Sequence, residues 1–275
     1  MSTGKVRFVT ASDGIKLAAH VKGEGPPLYA LHGGPANDRG SFGSYLDPVA
    51  AYRELWLLDQ RGCGESDDGS LESYTLERLA QDIEDTRQSL GHQQIEILGH
   101  SLGGVLALSY AIRWPRNVEA LVLVCAPVRG WRGVVSDPGS WPLWGRVMLE
   151  GFRKTPDWTS VYLKHELRGY PDVGAIRDHI CRSPRYDAKR LRPFMMAGSR
   201  PIDVKVIVGD GVKIVGIYGS LDRRFRSAAA YLQSIGVPVQ MIDGASHFPF
   251  VEQHQSFHEA LRRVLQEEAA PGSPE

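Results

Sequence analysis

The sequence predicts an α/β fold in which a mostly parallel sheet carries helices on both faces. Short apolar runs that end in glycine or a polar turn recur along the chain, and amphipathic helical patterns separate them. Buried parallel strands are almost continuously apolar because helices cover both of their faces. The 275 residues are enough for one large core. We therefore expect one α/β domain with an insertion.

The first elements have the pattern of an antiparallel hairpin. Residues 5–12 and 15–23 have strand composition, and the dipeptide Asp13-Gly14 between them favours a tight turn. Apolar runs predict five buried parallel strands, at residues 26–34, 53–62, 95–101, 118–127 and 213–220.

Helical patterns lie between these runs. A helix begins after Thr75, which is a typical N-cap residue, and ends at Gly91. Residues 102–114 form a second helix, which Pro115 ends. Towards the C-terminus, the pattern predicts a return to the sheet over 204–220, a helix over 226–236, a strand over 237–244 and a single helix over 250–269.

The segment 127–207 differs in character from the rest of the chain. It contains four of the six tryptophans, many prolines and basic residues, and no buried-strand pattern. A connection of this length is uncommon in a compact domain. We interpret it as a helical cap over one end of the sheet. The α/β core then comprises 1–126 and 208–270, and residues 271–275 form a disordered tail.

Composition limits the partners. Lys plus Arg number 32, as do Asp plus Glu, so the basic balance expected of a nucleic-acid binder is missing. No run of the sequence approaches the roughly 20 apolar residues of a membrane span. The three cysteines lack metal-ligand spacing, and the nine histidines lack an H-E-x-x-H pattern. We expect a cytoplasmic protein without metal or cofactor that acts on a small molecule or short peptide.

Ser101 lies in a G-x-S-x-G pattern where the strand at 95–101 gives way to a helix. This context predicts a nucleophile elbow, a turn so sharp that its neighbours must be very small, and Gly99 and Gly103 satisfy that requirement. The turn places the hydroxyl at a helix N-terminus, where the helix dipole favours a developing oxyanion. Ser101 is therefore the predicted nucleophile.

A serine hydroxyl needs a base and an orienting acid, which follow it along the chain in this kind of fold. Asp222 follows the strand at 213–220, and His247 follows the last strand. We predict that they are the acid and the base, with Asp243 and Asp210 as rival candidates for the acid.

The oxyanion needs backbone donors. We assign one to the N–H of Leu102 and the second to Gly34, with Gly33 as the near alternative. His32 is expected to anchor this loop, and His100 to be a packed neighbour of the site.

These residues resemble the α/β-hydrolase superfamily and, more narrowly, the proline iminopeptidase-like serine peptidases. The narrower resemblance rests on H-G-G-P at 32–35 and on D-Q-R-G-C-G-E-S at 59–66. It implies a serine hydrolase acting on an ester or an amide, with Asp59 and Arg61 pairing to brace the loops of the site.

The sequence departs from the proline iminopeptidases at the elbow, where it has G-H-S-L-G in place of G-G-S-W-G, and at Ala36, where a glycine is usual. The charge balance of the cap favours a neutral or anionic substrate. Its glutamates are Glu150 and Glu166, whereas its basic residues include Arg129, Arg132, Arg146, Arg153, Lys154, Arg168 and Arg177. Aminopeptidase and esterase both remain open. The alternative function is a non-catalytic or cyclising small-molecule-binding member of the same fold.

Overall fold

The computed structural model describes residues 4–34, 37–128 and 202–266, together with the single positions 141 and 149. Within these ranges the chain forms one eight-stranded sheet. Its strands are β1 (Lys5–Thr10), β2 (Lys16–Lys22), β3 (Pro27–Leu31), β4 (Glu54–Leu58), β5 (Ile95–His100), β6 (Val118–Val124), β7 (Lys213–Gly219) and β8 (Val239–Ile242).

The strands lie in the order β1-β2-β4-β3-β5-β6-β7-β8. The first two pairings, β1 with β2 and β2 with β4, are antiparallel, and the others are parallel. Because β3 and β5 to β8 all point the same way, the loops that follow them gather at one edge of the sheet, which is where open α/β sheets place their sites. The predicted fold class is confirmed.

Six described helices cover the sheet: α1 (Leu76–Leu90), α2 (Leu102–Arg113), α3 (Val204–Gly209), α4 (Arg226–Ser234), α5 (Pro249–Glu252) and α6 (His254–Gln266). Side chains from α1 to α4 pack into one core cluster with the sheet, and side chains from α5 and α6 pack into another. The alternating strand side chains divide between the two clusters, so that Leu121 and Leu123 belong to the first and Val122 to the second.

Local signals placed several element ends correctly. Gly14 has a φ of 87° in the turn between β1 and β2, a backbone conformation that glycine adopts without strain. The Thr75 hydroxyl accepts the backbone N–H of Arg78 at 3.1 Å, and Gly91 ends α1 in the left-handed conformation. The predicted hairpin and both predicted ends of α1 are confirmed.

The prediction of sheet structure over 204–209 is wrong, because this segment is α3. The Asp203 carboxylate caps the helix by accepting the backbone N–H of Lys205 at 3.1 Å. Val204 and Ile207, three positions apart, are buried, whereas Val206 and Val208 are exposed. Burying Val204 and Ile207, which lie on one face of a helix, therefore outweighs the preference of β-branched residues for strands.

The single helix expected over 250–269 is also wrong. Gln253 has a φ of −136° and a ψ of 60°, a non-helical conformation that separates α5 from α6. Each helix packs its own apolar side chains against the sheet, Phe250 and Val251 from α5 and Phe257 and Leu261 from α6.

Asp59 and Arg61 do not pair with each other, so that prediction is wrong as well. Asp59 Oδ2 lies 2.8 Å from Arg39 Nη1, and Asp59 Oδ1 accepts the backbone N–H of Arg39 at 2.9 Å. Arg61 makes two hydrogen bonds of 2.7 Å to Asp82 on α1 and an ion pair of 2.9 Å with Asp13. Both residues brace neighbouring segments, but each uses a partner distant in sequence.

The proposed cap lies almost entirely outside the described residues. Trp141 and Leu149 are described, and both are exposed. The boundaries at 127 and 207 and the tail at 271–275 stay predictions.

Candidate active site

Ser101 occupies a strained turn between β5 and α2. Its φ of 53° and ψ of −119° lie in a region that residues with a side chain rarely adopt, at a cost of about 1–3 kcal/mol. The backbone N–H of Ser101 donates to the carbonyl of Val124 at 2.8 Å, so β6 supports the turn from one side. Ser101 therefore lies at the sheet edge on a backbone that a hydrogen bond to β6 holds in place.

Two glycines make this turn possible. A Cβ added to Gly99 would lie 2.6 Å from the carbonyl oxygen of Gly103, and one added to Gly103 would lie 2.2 Å from the carbonyl oxygen of Leu31. These distances are far below van der Waals contact, so the predicted need for small residues on either side of Ser101 is confirmed.

Asp222 and His247 are neighbours at the same edge. Asp222 follows β7, His247 follows β8, and Nδ1 of His247 lies 2.8 Å from Oδ2 of Asp222. An ionised carboxylate can only accept a hydrogen bond, so Nδ1 carries the proton and Nε2 keeps its lone pair. The imidazole is therefore in the tautomer that a general base requires.

The two rival acids lie elsewhere. Asp243 is exposed and accepts the hydroxyl of Ser220 at 3.1 Å, and Asp210 is exposed directly after α3. Asp222 is thus the one of the three predicted carboxylates that the structure brings to His247.

Aromatic and imidazole rings surround His247. Phe225 stacks on it with ring centroids 5.0 Å apart and an interplanar angle of 24°. The His100 ring lies 4.9 Å away, and its Nε2 donates to the backbone carbonyl of His247 at 2.9 Å. His100 is buried, as expected of a packed neighbour, and it also holds the main chain of His247.

Burial controls the ionisation of this cluster. It lowers the pKa of His247 below its ordinary value, although the charge of Asp222 offsets part of the effect. Burial is the largest effect on Asp222 and opposes its ionisation, but the interactions with His247 and Arg224 together outweigh it and hold the pKa of that carboxyl below its usual range. The pair therefore consists of a neutral imidazole and a carboxylate at neutral pH. Burial also lowers the pKa of His100 well below its ordinary value, so that ring is neutral.

The loop after β3 approaches the elbow closely. A Cβ on Gly33 would lie 2.8 Å from Cβ of Ser101, and one on Gly34, which has a φ of 66°, would meet the side chain of Asn37. His32 is buried, and its Nε2 lies 3.3 Å from the backbone N of Gln60, which fits the expected anchoring role. Leu102 is the first residue of α2, where backbone N–H groups lack helical partners.

Two groups of described side chains bring three possible metal ligands together. One is His247 and Asp222 with Cys125, whose thiol has a pKa raised well above its ordinary value by burial and so stays protonated. The other is His20, Asp59 and Glu65, where the guanidinium of Arg39 already supplies a positive charge 2.8 Å from Asp59. Neither group has the chemistry of a good metal site.

Glu252 was missed by sequence reasoning. Its carboxylate Oε2 accepts the backbone N–H of Ser246 at 2.6 Å and that of Phe248 at 3.4 Å, on either side of His247. The sequence offers one signal, since Glu252 directly follows the apolar residues 249–251, but that signal names no partner for the carboxylate. A carboxylate in such a run needs polar partners.

None of the described helices is both long enough and apolar enough to cross a bilayer.

A family model for the α/β hydrolase fold matches residues 26–168. Among curated proteins, the proline iminopeptidase of Lactobacillus delbrueckii subsp. lactis is 41% identical over 103 residues, which cover 35% of this chain and 35% of that protein. The proline iminopeptidase of Saccharolobus solfataricus is 38% identical over 109 residues, which cover 38% of this chain and 34% of that protein. These matches span about a third of the relatives' length.

Solved structures agree over nearly the whole chain. An esterase from Rhodococcus sp. ECU1013 is 22% identical with a TM-score of 0.78, over 96% of this chain and 99% of that chain. A thermophilic esterase from Thermogutta terrifontis is also 22% identical, with a TM-score of 0.74, over 96% and 98%. At this identity the structures show a shared fold. The expected resemblance is confirmed, and since the family model covers just over half of the sequence, the chain belongs to the α/β-hydrolase fold family.

Proposed function

We propose that the protein is a serine hydrolase that cleaves an ester or an amide of a small molecule or short peptide. The observation that carries this proposal is the hydrogen bond of 2.8 Å between His247 and Asp222, at the sheet edge where Ser101 projects from a strained elbow. Such a combination of nucleophile, base and orienting acid is recognised by geometry and role.

In the proposed reaction, Nε2 of His247 takes the proton of Ser101 as Oγ attacks the substrate carbonyl. The backbone N–H groups of Leu102 and Gly34 hold the oxyanion, with Gly33 as the alternative second donor. His247 then gives its proton to the leaving alcohol or amine, and the acyl group stays on Ser101. Water, deprotonated by His247, releases the acid and regenerates the hydroxyl. Asp222 keeps the imidazole oriented and stabilises its charged form.

The relatives support a narrower proposal, that the substrate class is similar to that of a proline iminopeptidase. The curated proteins that match at 33–41% identity carry that name. Their matched segments are partial, and the similar solved structures include esterases. Experiment must therefore determine whether the protein cleaves an amide or an ester.

A fluorophosphonate probe tests the nucleophile, because it phosphonylates an activated serine Oγ and releases fluoride. Wild type is compared with Ser101→Ala and with Ser109→Ala, which removes another buried hydroxyl, from α2. We expect labelling in wild type and Ser109→Ala but none in Ser101→Ala. An unlabelled wild type would contradict the proposal.

A panel of p-nitrophenyl esters and of proline and alanine p-nitroanilides then separates esterase from aminopeptidase. Hydrolysis of the prolyl anilide at a higher kcat/KM than the esters would support the iminopeptidase-like substrate. The opposite ranking would identify an esterase. Labelling without turnover of any compound would favour the binding or cyclising alternative.

A further inference from the structure

Glu252 is a carboxylate close to the site that the hydrolytic steps do not use. It is the last residue of α5, and its Oε2 accepts the backbone N–H of Ser246 at 2.6 Å and that of Phe248 at 3.4 Å. Because these two residues flank His247, one carboxylate oxygen holds the peptide groups on both sides of the histidine.

His247 is thus held by three residues from three different parts of the fold. Asp222, after β7, orients the ring through Nδ1. His100, at the end of β5, holds the backbone carbonyl of His247 at 2.9 Å. Glu252, on α5, holds the flanking N–H groups. The first contact sets the direction of the ring, and the other two fix the main chain from which the ring projects.

The environment of Glu252 is unusual for a residue that only caps a short helix. Its second oxygen, Oε1, is buried and has no hydrogen-bond partner among the described residues. Burial raises the pKa of Glu252 to about 7, and the negative charge of Asp222 adds to this effect. The buried thiol of Cys125 also interacts with Glu252, and it is neutral. A serine or an asparagine would cap a helix without the cost of burying a charge.

We propose that Glu252 is a positioning residue for the hydrolysis assigned above, fixing the main chain of His247 so that Nε2 stays aligned with the Ser101 hydroxyl. The inference rests on the proposed function. Hydrogen bonds to an ionised carboxylate are roughly twice as strong as those to a neutral group. The hold on His247 therefore weakens as Glu252 becomes protonated. Because Glu252 does not touch the substrate in this scheme, it affects kcat and leaves KM unchanged.

The test uses Glu252→Gln, which keeps an oxygen acceptor for Ser246 but cannot ionise. Glu259→Gln is the matched control, because Glu259 is exposed on α6 and its carboxylate accepts a hydrogen bond from Gln255. At pH 8 we expect Glu252→Gln to lower kcat and the rate of fluorophosphonate labelling about tenfold. Glu252→Ala, which removes the acceptor, should lower both about 100-fold. Glu259→Gln should leave both rates unchanged.

The pH profile separates positioning from a purely structural role. Glu252, whose pKa is about 7, becomes protonated between pH 8 and 6 in addition to any protonation of His247, so the wild-type labelling rate should fall about tenfold more over this range than that of Glu252→Gln. In Glu252→Gln only His247 titrates, so the rate should follow a single titration. Loss of stability alone would not change the shape of this profile.

Each result has one meaning. A Glu252→Gln variant that matches Glu259→Gln in rate and retains the wild-type pH profile overturns the inference, provided that wild type is labelled at Ser101. An unlabelled wild type instead shows that the proposed function has failed. If circular dichroism shows that Glu252→Gln does not fold, the wild-type profile decides, and a rate that follows a single titration, with no second titration near pH 7, would overturn the inference.

Discussion

Gly103→Ala would open the contact between the strained turn at Ser101 and the loop after β3. The new Cβ would lie 2.2 Å from the carbonyl oxygen of Leu31 and 2.7 Å from that of His32. Carbon–oxygen contacts are ordinarily about 3.3–3.6 Å, so the start of α2 and this loop must separate by about 1 Å. Both sides of the contact are backbone, which cannot turn aside as a flexible side chain can.

Two opposing effects decide the stability of this variant. Alanine favours a helix over glycine by up to about 1 kcal/mol. Overpacking typically costs about 1–3 kcal/mol, and a backbone–backbone clash belongs at the upper end. The net expectation is a loss of about 2 kcal/mol in the free energy of unfolding, with a decrease in Tm of roughly 4–8 °C.

The same displacement should reduce activity. The loop after β3 carries Gly33 and Gly34, and the start of α2 carries the Leu102 N–H. A misplacement of about 1 Å at a catalytic site costs about 100-fold in rate, so kcat for a p-nitrophenyl ester or anilide substrate should fall by that factor.

Urea unfolding and steady-state kinetics check both expectations against Gly209→Ala. A Cβ on Gly209, at the end of α3, meets nothing within 4 Å. That variant should be equal to wild type in activity and equal or slightly greater in stability. Equal stability and activity for the Gly103 and Gly209 variants would refute the steric reasoning.

Three further predictions concern charged groups. Asp222→Asn should lower kcat about 10⁴-fold with little change in folding, because the amide no longer fixes the imidazole tautomer. Steady-state kinetics would test this with Asp243→Asn as the control. Equal losses of kcat in the two variants would contradict the assignment of Asp222 as the acid. Arg61→Met should lower the free energy of unfolding by about 3 kcal/mol in urea titrations, because it leaves the buried Asp82 with fewer cationic partners. An unchanged midpoint of urea unfolding would contradict this. The pKa of Glu252, about 7, lies above its ordinary 4.5, so stability from this group is present below pH 4.5 and is lost as pH rises through 7. Relative to wild type, Glu252→Gln should gain about 3 kcal/mol in the free energy of unfolding between pH 4 and 8, and a parallel pH dependence of the two proteins would refute the burial argument.

Local patterns were sufficient for most of the described fold. Each buried strand has its own apolar run, and α1 has its own start signal at Thr75 and stop signal at Gly91. The failure at α3 has a physical cause, since Val204 and Ile207 gain more from packing together against the core than valine and isoleucine lose by adopting a helix.

Long-range partners were harder to predict. Asp59 and Arg61 are separated by one residue, yet their side chains pair with Arg39 and Asp82, which the sequence pattern does not link to them. Pairing of charges depends on where loops and helices pass one another after folding. Composition and spacing do not carry that information.

Part of the site could be predicted from the sequence and part could not. The nearness of Asp222 and His247 followed from the rule that parallel strand ends share an edge, and the structure brings the two together. Their catalytic roles stay predictions. The contacts of Glu252 and His100 with the main chain of His247 could not be foreseen, because backbone N–H and carbonyl groups are the same for nearly every residue type and leave no mark in the sequence.

The neighbouring strands β6 and β7 are adjacent in space but far apart in sequence, with nearly ninety residues between Val124 and Lys213. Their pairing requires only that this long segment leave and return at adjacent places. The entropic cost of closing such a segment grows slowly, by about 0.6 kcal/mol for each doubling of its length. Changes in the length of the chain between Val128 and Val204 should therefore cost the core little, and the strands that precede Ser101, Asp222 and His247 can keep their register while that length varies.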